Sequence, residues 1–433
     1  MITSIQPSKK FIISRKLDVI GHGFIVALPV AMVLANRSSP LFLSCAAGFI
    51  AAAHLMSGSG TSFLSALTRM HTGAFIGLLG AVAYSLLSLA WTVRPEAAFL
   101  ALGEAVIPIF ASAVLIMRWR IAPPPQWLFE TLAKAMLLAA ALIAFELLLN
   151  FPLRQVYGGR LGSYVHNRPV VTLLLLLLPV LSWALLCGRK KLGLILLSAM
   201  TIVIAISDSE AAKLGLLAAI GSSILVYAFP KRISPILIVG LLGFVWIQPV
   251  FGDIVANLTP PRLIELTKAG HSKERIEIWQ AFGEVARKHP ATGTGFASTA
   301  FIKDHPVITE VDPGFRRALE MGHPHNAYLQ VWVELGVPGA LILSWFLFWG
   351  MRRLSEQSVS IRRMGLSALM CASAIALVSH GAWQGWWIAA LALVAALFSI
   401  RPNDPVQQEV FIPTYPEAHL TPDEPVTGVT ASG

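Results

Sequence analysis

Apolar stretches close to the length of a bilayer crossing recur along most of this chain, and they narrow its possible folds sharply. About 20 mostly apolar residues are needed to cross the hydrocarbon layer as a helix. Such stretches fall at roughly 18–36, 40–57, 72–92, 97–117, 127–150, 169–187, 192–206, 211–229, 233–251, 328–350, 365–380 and 382–399. They are continuous rather than alternating in polarity, which selects helices over a barrel. The expectation is an all-α polytopic membrane protein of about twelve transmembrane helices. Some are short, so two neighbours could form one broken helix or a re-entrant pair. With 55% hydrophobic and only 13% charged residues, against about 25% charged in soluble domains, both a soluble enzyme and a disordered chain are excluded.

The formal net charge of +10 would suggest nucleic acid in a soluble protein, but in a membrane protein it can simply record topology. With the N-terminus placed in the cytoplasm, seventeen Lys and Arg fall in inner segments, including Lys9, Lys10, Arg118, Arg120, Arg352 and Arg353. The short outer connections hold five: Arg37, Arg94, Arg154, Arg160 and Arg168. The asymmetry predicts both termini inside and leaves no nucleic-acid partner to expect. The first apolar run has no convincing cleavage site, so it reads as a retained span. Cys45, Cys187 and Cys371 all lie in apolar runs, with no CxxC spacing, which supports neither a disulfide framework nor a zinc site.

One connection is long. Residues 252–325, between the ninth and tenth spans, carry nine basic and nine acidic residues, and loops of this length usually have a function. The expected organisation is therefore a bundle of about nine helices over 1–251, a periplasmic loop over 252–325, the last three helices over 326–400, and a Pro-rich, acidic, disordered cytoplasmic tail over 401–433.

Within the loop, Ile276, Trp279, Phe282 and Val285 recur every third residue and predict an amphipathic helix lying on the membrane surface. Arg275 would open it, near Lys273, where fixed charge and free N–H groups could together hold an anion. The plain alternative is an arginine paired with Glu274 or Glu277. The helix should stop at His289-Pro290, before a tight turn at Gly293-Thr294-Gly295. Just ahead of the tenth span, Asn326 is a good N-cap for a helix starting at Ala327. That puts His325 at a helix N-terminus, where the dipole disfavours imidazolium, and a neutral imidazole there can take a proton from a sugar hydroxyl. His323 and His325 could otherwise be half a metal site, but no acidic or Cys partner stands at ligand spacing. A loop histidine bonded to backbone is the third possibility.

Further cations fall at the same level. Arg160 and Asn167-Arg168 precede a long leucine run, where a cation must snorkel or find an anion. Lys213 sits about one turn into the eighth span, with Glu210 or Asp208 as its ordinary partner. Glu130 and Lys134 have the spacing of a structural pair. Asp18, Glu104 and Glu146 are too scattered to suggest a proton relay. The outer cations together with a neutral base would suit a lipid-linked diphosphate donor and a hydroxyl acceptor.

Several motifs, in order and spacing, resemble the O-antigen ligase/polymerase superfamily: Arg275-x-x-x-Trp279, Pro290 to Gly295, His325-Asn326-x-x-Leu329, and Glu334-Leu335-Gly336-Val337-Pro338-Gly339. The resemblance implies a GT-C-like, inverting, metal-independent glycosyltransferase of the bacterial inner membrane, with no cofactor. In the ligase branch a polysaccharide leaves undecaprenyl diphosphate and joins a sugar hydroxyl of lipid A–core. It further implies His325 as base and Arg275 as the arginine on the donor diphosphate. Arg168 would be a second phosphate contact, with Arg160, Lys213, His323, Asn326 and Trp279 also lining the substrate site. Many members have Ser-Arg-Gly where this chain has Ser209-Glu210-Ala211, and Lys213 would supply the missing cation. A polymerase, a protein O-glycosylating enzyme and, from another class, a secondary transporter are the alternatives; the last should show repeated halves, and none is visible.

Overall fold

The computed structural model describes residues 8–57, 72–230, 232–260, 262, 272–378 and 381–400. The expected tail over 401–433 lies outside them. The described residues contain helices and no strand, and those up to Ile400 belong to one compact unit. The helices are α1 (Lys9–Leu34), α2 (Ser39–Met56), α3 (Thr72–Leu87), α4 (Pro95–Ile121), α5 (Trp127–Leu148), α6 (Pro152–Val156), α7 (Asn167–Leu186), α8 (Lys190–Ile206), α9 (Glu210–Ala228), α10 (Ile233–Trp246), α11 (Gln248–Leu258), α12 (Ser272–Lys288), α13 (Arg316–Leu319), α14 (Ala327–Ser355), α15 (Val359–Val378) and α16 (Gly385–Phe398).

Each of the twelve expected apolar stretches lies on a helix. Eight helices among the described residues are long and apolar enough to cross a membrane, or nine if α10 and α11 count as one broken span. The chain is thus a multi-pass membrane protein. The ninth expected span is not a straight helix: between α10 and α11 the chain bends by 95°, with Gln248 fully buried just past the break. A helix therefore runs through the expected boundary at residue 251.

The leucine run forms the centre of the bundle. The span ending in α7 is 78% buried, against 28–44% for the other long spans, because its side chains pack all round rather than on one stripe. It touches α1, α5, α8, α9, α15 and α16. Helix α12 corrects the expectation of a surface-lying amphipath. Its apolar residues Ile276, Trp279, Phe282 and Val285 are all buried, packed against α11 and α14 rather than turned toward lipid. The fit is close: a Cβ on Gly252 of α11 would lie 2.5 Å from the Gln280 backbone nitrogen.

Helix α14 is broken at Gly336, whose φ of 59° and ψ of −150° are non-helical. With Pro338 following, the break strands backbone groups that water cannot reach, and each must find a partner. The segment expected to be a simple tight turn supplies them. Thr294 N–H donates to the Val333 carbonyl at 2.8 Å, Gly295 N–H donates to the Glu334 carbonyl at 2.9 Å, and Val337 N–H donates to the Pro290 carbonyl at 2.8 Å. This approach needs glycine on both sides. A Cβ on Gly293 would sit 2.4 Å from the Glu334 carbonyl, and one on Gly336 would sit 2.6 Å from the Pro290 oxygen.

Replacing Gly293, which also holds a positive φ of 68°, by Ala should lower stability by on the order of 2 kcal/mol. Gly240→Ala, in α10 with nothing within 4 Å of its would-be Cβ, should be neutral or stabilising by up to ~1 kcal/mol. Thermal unfolding of both variants in detergent checks the contrast.

Candidate active site

Asn326 caps α14 as its sequence suggests. Its Oδ1 accepts from Tyr328 N–H at 3.0 Å and Leu329 N–H at 3.1 Å, and its Nδ2 donates to Gln248 Oε1 at 2.7 Å. The Gln248 amide in turn donates to the Phe244 carbonyl at 3.0 Å, so one side chain bridges the α10–α11 break and the α14 cap. Asn326 is 1% exposed with both ends of its amide used, which makes it a positioning group rather than the expected substrate contact. His325, directly before it, adopts a positive φ of 50°, a conformation non-glycine residues hold only when their surroundings impose it. Its ring meets that of His323 edge-on, with centroids 4.0 Å apart. Burial pushes the His323 imidazole below its ordinary value, and its Nδ1 is buried without a hydrogen-bond partner. Among the described residues no group of three or more His, Cys, Asp or Glu is placed to hold a metal ion.

Arg275 lies in the opening part of α12 and reaches across to α15, where it donates to the Val378 carbonyl. Burial lowers its guanidinium pKa, and the carboxylate of Glu210 opposes that shift. Glu210 also holds Lys213, with Oε1 to Nζ at 3.0 Å. Lys213 thus has its ordinary partner, and Glu210 is a carboxylate acting on two cations. Asp208, the other candidate partner, accepts from Ser163 instead, tying the turn before α7 to the turn before α9.

At the start of α7 the Arg168 guanidinium lies over the Trp386 ring, 5.7 Å from its centroid. No carboxylate pairs with it among the described residues. Arg160 is exposed. Trp279 is buried, with its ring 5.3 Å from Phe251. It packs α12 against α11 and so places Arg275, and its Nε1 is buried without a hydrogen-bond partner among the described residues. Arg154, counted among the outer cations, is buried beside Glu146 (3.4 Å) and His166 (3.4 Å) in a structural cluster.

What joins these groups is the connection from α15 to α16, which sequence reasoning passed over. Val378 at its start receives Arg275, and Ala382 N–H donates to Gln330 Oε1 at 2.7 Å, one turn beyond the Asn326 cap. Trp386 at its end supports Arg168. Between them, Trp383 Nε1 donates to Glu334 at 2.5 Å. Glu334 is fully buried and also accepts from Ala297 N–H (2.6 Å), Thr299 N–H (3.4 Å), the Thr299 hydroxyl (2.5 Å) and Gln330 Nε2 (2.8 Å). Its sequence signals were a carboxylate inside an apolar run and its place at the head of the Glu334 to Gly339 motif.

Burial also lowers the His305 imidazole pKa, with the charge of His289 adding to the shift. An imidazole depressed in the folded state disfavours folding once the unfolded chain binds a proton that the folded one refuses. Stability from His305 and His323 is therefore complete above about pH 6.5 and is lost as the pH falls toward their folded values. Melting temperature in detergent should drop between pH 7 and pH 5, and His323→Gln should flatten part of that drop.

A family model described as O-antigen ligase matches residues 193–344, which hold Lys213, Arg275, Trp279, His323, His325 and Asn326. Several relatives from Rickettsia carry the provisional name of polysaccharide ligase. The chain is 27% identical to the Rickettsia felis protein over 263 residues, 57% of this chain and 61% of the relative. It is 28% identical to that of Rickettsia prowazekii over 252 residues, 54% and 58% of the two chains. For Rickettsia conorii the figures are 26% over 287 residues, 63% and 66%. The matched region spans about three fifths of the length of these curated relatives.

Proposed function

Because the chain belongs to the O-antigen ligase superfamily, we propose that it transfers a polysaccharide from undecaprenyl diphosphate to a sugar hydroxyl of lipid A–core, at the periplasmic face of the bacterial inner membrane. The observation that carries this reading is the common landing place of two cations: Arg275 on Val378 and Arg168 on Trp386, at the two ends of one connection. Neither is held by a direct carboxylate contact among the described residues, so each retains charge for a diphosphate.

The acceptor oxygen attacks the anomeric carbon of the donor from the face opposite the diphosphate. The bond from that carbon to the diphosphate oxygen breaks, and the configuration inverts. His325 takes the proton of the acceptor hydroxyl, while Arg275 and Arg168 stabilise the negative charge that grows on the leaving diphosphate. The strained, capped backbone at His325 fixes where its ring stands. Gln248 ties its neighbourhood to the α10–α11 break, and Gln330 ties it to Ala382, between the residues on which the two guanidiniums rest.

Purified protein in liposomes with a polyprenyl-diphosphate glycan and lipid A–core tests the reading. His325→Ala and Arg275→Ala should each lower transfer by at least about 100-fold with little change in melting temperature. If both keep wild-type transfer, the assignment is wrong. In cells, loss of all glycan capping on lipid A–core marks a ligase, whereas capping by a single repeat marks a polymerase.

A further inference from the structure

The carboxylates set deep in the helices are, with one exception, engaged. Asp18 is 3.3 Å from His22 and 3.6 Å from Arg118. Glu146 is 3.4 Å from Arg154, and Glu334 is saturated with donors. Glu104 is different. It is exposed, and no hydrogen bond or ion pair reaches it among the described residues.

Its position makes this costly. Helix α4 begins at Pro95, so Glu104 stands nine residues on, about 14 Å along the axis. Apolar sequence flanks it on both sides, from Ala97 to Gly103 and from Ala105 to Met117. A carboxylate inside an apolar span without a partner is expensive and marks a functional position by default.

Its neighbours show what it serves. A Cβ on Gly385 would lie 3.2 Å from the Glu104 carbonyl, 3.3 Å from Pro40 and 3.5 Å from the Glu104 Cβ. Gly385 opens α16 and is next to Trp386, the ring that supports Arg168. Further round α4, Ala98 and Leu102 form one apolar cluster with Phe296 and Leu335, against which Trp383 packs. Glu104 thus stands beside the same connection that receives Arg275, Gln330, Glu334 and Arg168, and it is the acidic member with its charge unspent.

Carboxylate chemistry restricts the ligand. An ionised carboxylate accepts hydrogen bonds and repels other anions, so it does not bind the diphosphate. It suits hydroxyl donors, and a charge-assisted bond to a hydroxyl is among the stronger ones. We propose that Glu104 is a substrate-binding residue whose carboxylate accepts a hydrogen bond from a sugar hydroxyl of a lipid-borne glycan. The arginines near the same connection take the phosphates. This rests on the glycan-transfer reading above.

The test uses the full chain in liposomes, with the polyprenyl-diphosphate glycan and lipid A–core varied in turn, for wild type, Glu104→Ala and Glu104→Gln. Losing a charged hydrogen bond should raise one substrate's KM by about 10- to 100-fold in Glu104→Ala, with kcat changed less than about threefold. Glu104→Gln keeps an acceptor oxygen and should fall between. A shift in the lipid A–core KM assigns the hydroxyl to the acceptor; a shift in the donor KM assigns it to the donor. Unchanged KM for both overturns the proposal, as does a kcat collapse in Glu104→Gln with both KM values intact, which would mark a proton-transfer role. If the wild type transfers nothing, the functional reading fails on its own. Tryptophan fluorescence with deacylated core oligosaccharide and with deacylated donor glycan then decides the binding claim. Saturable quenching lost in Glu104→Ala supports it; equal quenching in both proteins, or none in wild type, overturns it.

Discussion

The break in α14 at Gly336 is the constraint on which the rest of the site depends. A membrane-crossing helix ordinarily satisfies its own backbone. Here a glycine at positive φ followed by a proline gives that up over one turn, and residues 290–295 take over the lost hydrogen bonds. The Glu334 side chain, two residues before the break, then collects five donors from three separate parts of the chain. A fully buried carboxylate is tolerable only when every lone pair is used. Once those donors are in place, loop 294–299, the first turns of α14 and the α15–α16 connection can move only together. His325, Arg275 and Arg168 are all attached to that assembly or to elements that touch it.

The fold was largely legible because a bilayer imposes a simple rule on sequence. Length and continuity of apolar runs placed the helices, of which eight among the described residues, or nine with the broken pair, rather than twelve, are long and apolar enough to cross a membrane. The N-cap chemistry of Asn326 located the start of α14 to the residue. What stayed hidden were the features that depend on partners distant in sequence. The turn at Ile247 is signalled in sequence only by Pro249 in the first turn of α11; its support comes from Gln248, held by Asn326 78 positions away. The period of α12 was readable, but whether lipid or protein covers its apolar face depends on α11, whose Gly252 allows backbone approach.

The site was legible in its residue types and less so in their duties. Arg275, Arg168 and His325 stood out because charge and imidazole are conspicuous at helix ends. Trp279 stood out by its period and motif and Asn326 as an N-cap, and both are buried where they place other groups. Glu334 and Trp383 gave little warning, since a lone polar residue in an apolar run looks the same whether it is structural, functional or merely solvated. Only the fold separates Glu334, saturated by donors, from Glu104, which no hydrogen bond or ion pair reaches among the described residues.

How each charge is supported explains why some remain available. Lys213 is held by Glu210 at 3.0 Å, and a directly paired ion has little field left for a ligand. Arg275 and Arg168 are held differently, one by a backbone carbonyl and the other by an aromatic face. Those supports orient a guanidinium through a partial charge or a quadrupole without neutralising it. Glu210 acts on Arg275 against the effect of burial, so the charge is sustained without a direct carboxylate contact among the described residues. A carboxylate in place of Val378's carbonyl would have made a stronger structural link and a weaker anion site. The arrangement is thus the opposite of that at Glu146 and Arg154, where opposite charges meet in the core, and the difference between the two clusters separates the charges that hold the bundle together from those left to meet a substrate.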